Sequence, residues 1–179
     1  MKNICIGLFE GEALPESLAA FKDVKLDLEF GKITTIHTLN QLDCEKIVVV
    51  GLGDGKKNIK EAFSKVDADD YLVYVNENTA YAAGFGLVYG AYSYKETKVY
   101  DLESDGYTAE FEKGKTVASI VNHAREMSDM PANFLTPNHL VDEAKVVSEK
   151  YGMEIEILNQ EDLEELGAGA LLAVNQGSD

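Results

Sequence analysis

The sequence predicts an α/β fold, a mixed sheet flanked by helices, and three observations carry that expectation. Short apolar or alternating runs recur at residues 4–8, 33–39, 46–50 and 71–75, the pattern of strands half or fully buried. Segments with apolar residues at helical spacing fall between and after them, at 57–66, 79–94 and 116–130. Glycine-rich punctuation, such as Gly51-Leu-Gly-Asp-Gly55, separates the two kinds of run.

Taken in order, Ile4, Ile6 and Leu8 alternate as a first strand, and residues 15–21 read as a turn or short helix. Val24, Leu26, Leu28 and Phe30 then alternate with Lys25, Asp27 and Glu29, which predicts a half-exposed strand ending at Gly31. The threonine-rich, β-branched stretch 33–39 predicts another strand, and residues 46–50 a buried one feeding the glycine turn. Ile59, Ala62, Phe63 and Val66 mark a helix over 57–66, and residues 71–75 a further strand.

Asn78 or Thr79 is placed to cap a helix running to about Tyr94. Gly84, Gly86 and Gly90 lie inside it, each costing about 0.8–1 kcal/mol relative to alanine, so close packing must offset them, and the sheet is the expected neighbour. Residues 98–102 and 107–111 suggest a hairpin turning at Ser104-Asp-Gly106.

Thr116 is a candidate cap for a linker helix carrying Val117, Ile120, Val121, Ala124 and Met127, closed by Pro131. Thr136 and Pro137 open the next helix, with Leu140, Val141, Ala144 and Val147 on its inner face and Gly152 at its end. Met153, Ile155 and Ile157 alternate with Glu154 and Glu156 as a strand, and Asn159 caps a short acidic helix stopped by Gly167. The apolar run 169–174 reads as a buried strand, which needs neighbours from partner chains or from further sequence unless it sits at a sheet edge.

Composition narrows the function classes. The formal net charge of −16 and a single arginine, Arg125, disfavour nucleic acid and anionic membrane surfaces as partners. Cys5 and Cys44 lie in apolar settings without CxxC spacing and read as free thiols of a reducing compartment. Without a signal-peptide pattern or a run approaching the roughly 20 apolar residues of a membrane span, the expectation is cytoplasmic.

Candidate chemistry is sparse. The strand and glycine turn at 48–57 invite comparison with phosphate loops, but Lys56 stands where a dinucleotide fingerprint wants its third glycine, and Walker spacing is lacking too. A plain tight turn is the reading. His37, His123 and His139 lack HExxH spacing, and the acidic groups Glu10 and Glu12, Asp67, Asp69 and Asp70, and Glu161, Asp162, Glu164 and Glu165 read as solvated faces or helix-start charges. No residue of this chain is expected to be catalytic, cofactor-binding or metal-ligating.

Several stretches resemble the leucyl (cytosol) aminopeptidase family: Val48 to Gly53, the helix end Val88-Tyr-Gly-Ala-Tyr-Ser-Tyr-Lys95, Pro131-Ala-Asn133 with Thr136-Pro137, and Leu171-Leu-Ala-Val174 with Gln176-Gly-Ser178. Asp129, Tyr94 and Ala83 depart from the family's usual Asn, Phe and Glu. The resemblance implies a macro-domain-like N-terminal domain over 1–114, a linker helix over 115–131, and a helix-strand-helix-strand opening of a peptidase domain over 132–179. It further implies a hexameric exopeptidase acting on peptides through two divalent ions, manganese or zinc. The sequence then stops before the metal ligands, and the chain alone is expected to be an inactive fragment serving assembly or regulation. The alternative is a macro-like module holding ADP-ribose or a nucleotide at the glycine turn.

Overall fold

In a computed structural model that describes residues 2–94, 96 and 100–176, the chain divides into two compact units, Met1–Asp129 and Met130–Asp179. The first is built on a five-stranded sheet of order β2-β3-β1-β4-β5, with β1 Asn3–Leu8, β2 Ile33–His37, β3 Lys46–Gly51, β4 Tyr71–Tyr74 and β5 Leu102–Ser104. Only β2 runs antiparallel to its neighbour; β3, β1, β4 and β5 are mutually parallel, so the sheet is mixed as the sequence predicts.

The two faces of the sheet explain why β1 and β3 read as continuous apolar runs. Cys5, Val48, Val50, Tyr71 and Val73 face one core together with Ala62, Phe63, Ala83, Leu87 and Phe111. Ile4, Ile6, Ile47 and Val49 face the other, which Leu18 and Phe21 of a 3-10 helix (Glu16–Phe21) close with Leu26 and Leu28. Each fully buried aliphatic side chain contributes roughly 1.5–3 kcal/mol, and the central strands share the unit's apolar stabilisation with the helices packed on them. Asn3 is also buried: its amide donates to Asp69 and its oxygen accepts from the backbone N–H groups of Glu45 and Lys46, tying the starts of β1, β3 and β4.

Three helices lie on the first core: α1 Ile59–Phe63, α2 Ala80–Gly90 and α3 Thr108–Asp129. The α2 glycines meet helices, correcting the expectation that they approach the sheet. A Cβ at Gly84 would sit 2.2 Å from the Phe111 carbonyl oxygen, and one at Gly114 of α3 would sit 2.3 Å from the Tyr81 carbonyl oxygen, a reciprocal close crossing. Gly86 and Gly90 lie similarly close to the carbonyls of Lys60, in the first turn of α1, and Ser64, just beyond its end, where a Cβ would come within 2.5 and 2.1 Å. The helix-propensity cost of these glycines is thereby offset by helix–helix contact that any side chain would block.

Other departures have local causes. Residues 24–30 form no strand, because Leu26 and Leu28 point into the second core while the Leu28 carbonyl accepts from Gly53 rather than from a ladder partner. The expected hairpin at 98–102 and 107–111 is not formed by its second arm: β5 pairs with β4 in parallel, and α3 starts at Thr108, with Phe111 fully buried on the helix. Residues 98 and 99 of the first arm lie outside the described residues. The helix expected from Thr116 therefore begins eight residues earlier, at Thr108.

The second unit contains α4 Pro137–Tyr151, α5 Gln160–Glu165 and α6 Gly169–Asn175. Its caps follow the sequence closely. Thr136 Oγ1 accepts from the His139 N–H, Pro137 opens α4, Gly152 at φ 64° ends it, and Asn159 with Asp162 forms a capping box on α5. Both strands expected here are corrected. Residues 153–159 are outside regular structure, with no ladder partner among the described residues. The run 169–174 is helical: alanine and leucine are strong helix formers, and a helix satisfies its backbone within the segment where a strand would need neighbours. Of the unit's described residues only Ser148 is buried, so the expected inner face of α4 is not enclosed, Leu140 remaining 51% exposed.

Candidate functional site

The glycine turn after β3 is where the sequence comes nearest to a ligand loop. Gly53 and Gly55 have φ of 65° and 78°, and Gly51 passes so close to the Glu29 carbonyl that a Cβ would be 2.2 Å from its oxygen. Phosphate loops work by leaving several backbone N–H groups free to converge on an anion. Here the first three such groups of the turn are already engaged: Gly51 N–H donates to the Lys32 carbonyl, Leu52 N–H to Leu8 and Gly53 N–H to Leu28. The Lys56 N–H and ammonium both donate to the Asp54 carboxylate, which is held below its ordinary range by those Lys56 hydrogen bonds. The turn is a junction between β1, the 24–32 segment and β3, and an anion would have to displace these bonds.

The titratable groups singled out in the sequence are dispersed. His37 ends β2 on the surface, His139 Nδ1 lies 2.8 Å from Thr136 Oγ1 in the α4 cap, and His123, exposed on α3, borders a cavity between α2, α3 and β5. Glu12 accepts from the Phe9 N–H, Asp70 accepts from the Asp101 N–H, and Asp162 accepts from the Asn159 N–H. Asp69 pairs with Lys46 at 2.8 Å, and this hydrogen-bonded ammonium is the main cause that lowers its carboxyl below the ordinary value. Among the described residues no group of three His, Cys, Asp or Glu side chains converges as a metal shell requires. Cys5 is fully buried beneath the helices, its thiol pushed up to about 12 by desolvation, and Cys44 is raised by desolvation and then by Asp43; both are free. Neither has the electropositive, accessible setting of a reactive thiol.

Sequence reasoning missed the environment of the lone arginine. Arg125 lies over the rings of Tyr89 and Tyr92, 4.3 and 4.2 Å from their centroids, while Nη1 donates to the Tyr89 carbonyl and to Asn122 Oδ1. Lys60 caps Tyr81 and Phe85 in the same way, at 4.6 and 4.7 Å. Tyr81, Phe85 and Tyr89, spaced four apart, were the legible signal for this ladder along α2. Tyr92 closes it by donating to Asp129 at 2.7 Å, and lost hydration followed by that carboxylate pushes its phenol up to about 12. Between the C-terminal turn of α2, α3 and β5 lies a cavity of about 450 Å³ with Leu87, Tyr100 and Leu102 on its apolar side and Lys115, Asn122 and Glu126 on its polar side. Lys115 is engaged there by the Leu102 carbonyl and Glu112.

Comparison with known proteins gives these elements a setting. Residues 122–179 match the sequence model described as cytosol aminopeptidase family, catalytic domain. The chain is 36% identical over 171 residues to a probable cytosol aminopeptidase of Exiguobacterium sibiricum, covering 83% of this chain and 36% of that protein. It is 29% identical to a probable cytosol aminopeptidase of Alkaliphilus metalliredigens, covering 84% of this chain and 38% of that one. The chain thus spans well under half the length of these relatives. Among solved structures, the bottromycin maturation enzyme BotP has the same fold at TM-score 0.75 and 19% identity, over 99% of this chain and 43% of that one. A BotP structure in complex with Mn matches at TM-score 0.70 with 18% identity, over 93% of this chain and 40% of that one. A cytosol aminopeptidase from Coxiella burnetii matches at TM-score 0.65 with 18% identity, over 92% of this chain and 39% of that one.

Proposed function

This chain belongs with the cytosol aminopeptidases, and we propose that it supplies the N-terminal unit and the opening of the catalytic unit of a metal-dependent exopeptidase releasing N-terminal amino acids from peptides. The observation that carries the reading is the match of residues 122–179 to the family's catalytic domain within a chain 36% identical to a family member across 83% of its length. In this reading the expected macro-like domain over 1–114 is followed by a linker formed by the later turns of α3, which runs Thr108–Asp129 rather than 115–131, and 132–179 is the start of the peptidase domain. The division between Asp129 and Met130 supports a junction near that point.

The residues in hand do not fit a two-metal centre, since among those described no three potential ligands converge. In this reading two divalent ions, manganese or zinc, would be held by residues other than those described, and the Mn complex of BotP supports that metal class. This chain by itself contributes assembly, as in a hexamer, or regulation. A cytosolic setting accords with the relatives' names and with the described residues, where no helix is long and apolar enough to cross a membrane. The nucleotide-module reading is disfavoured by the engaged N–H groups of Gly51, Leu52, Gly53 and Lys56.

A chimera tests the reading. Residues 1–179 replacing the corresponding segment of the Exiguobacterium sibiricum protein should give a folded enzyme that hydrolyses leucine amides. A folded chimera without that activity, beside an active parent, would overturn it.

A further inference from the structure

We draw no further inference here: the strongest candidate, the cavity of about 450 Å³ between the C-terminal turn of α2, the face of α3 and β5, is lined at Ser93 and Tyr100, which flank residues outside the described set, so nothing in the structure shows what fills it.

Discussion

Asp69 is held in place by two partners from different strands, the Lys46 ammonium at 2.8 Å and the Asn3 amide at 3.0 Å. Its carboxyl is lowered, so the sign of its pH effect follows: the folded state holds the charged form more tightly than the unfolded chain does. The stability it contributes is present above the ordinary carboxylate value of 3.8 and is lost as pH falls through the lower folded value. Asp69→Asn should therefore be less stable than the parent at neutral pH, with the gap in urea midpoints closing as pH drops below about 4. With the pair partly exposed, that gap should be small, within about 1 kcal/mol. A gap that stays constant across that range would show that the ion pair contributes nothing through its charge. Arg125 illustrates a second residue-scale point, because its charge is spent on two tyrosine rings and two hydrogen bonds in the first unit. Its planar group stacks and donates together, which lysine cannot reproduce.

At the scale of elements, the crossing of α2 and α3 is set by Gly84 and Gly114. Alanine would gain about 0.8–1 kcal/mol of helix propensity at either site, but each Cβ would lie within 2.3 Å of a backbone oxygen. Backbone cannot swing aside as a side chain can, and overpacking costs typically about 1–3 kcal/mol, so the clash wins. Gly84→Ala and Gly114→Ala should both lower the unfolding free energy, while Gly106→Ala, with nothing within 4 Å of its Cβ, should leave it within about 1 kcal/mol of the parent. Stabilisation by Gly84→Ala in urea unfolding would mean that the helices do not approach as described.

What the sequence made legible follows the same physics. Strands β1, β3 and β4 are readable because their apolar residues fill cores on opposite faces of one sheet, and β2, with only Ile36 buried, from its β-branched composition. The caps of α4 and α5 were readable because Thr136-Pro137, Gly152 and Asn159 act locally. Residues 24–30 alternate without joining a ladder, since hydrogen bonding across the chain is invisible to periodicity. The run 169–174 is a short apolar stretch for which periodicity cannot separate strand from helix, and its alanines and leucines decide for helix. The glycines of α2 announce a close approach, but whether sheet or helix lies opposite depends on the course of residues 108–129, where the sequence predicts a strand through Phe111 and the structure has a helix. For the candidate site, the glycine spacing departs from both phosphate-loop fingerprints and so favours a plain turn, while a macro-like nucleotide site at the same turn stays open from sequence alone. The aromatic and cation ladder stayed hidden because Arg125 and Tyr89 are far apart in the chain and meet only when α3 packs on α2.

At the scale of the whole molecule the two units differ in how they are held. Met1–Asp129 carries two buried cores, whereas among the described residues of Met130–Asp179 only Ser148 is buried. Local opening free energy tracks buried apolar contact, so amides of α4 and of residues 153–158 should exchange with solvent hydrogen faster than those of β3. Mass-resolved hydrogen exchange showing equal protection in Pro137–Tyr151 and Lys46–Gly51 would contradict this account. Exposed Leu140, Val146, Tyr151, Ile155 and Leu171 leave the second unit with apolar surface of the kind that stable folds cover.

The central proposal is that a chain of aminopeptidase kinship, whose described residues bring no three potential metal ligands together, does not cleave peptide bonds by itself. The most direct measurement is hydrolysis of a leucine amide by this polypeptide, purified to homogeneity and supplied with manganese. The account predicts no turnover above the metal alone, while release of leucine that scales with chain concentration and co-elutes with the chain would contradict it.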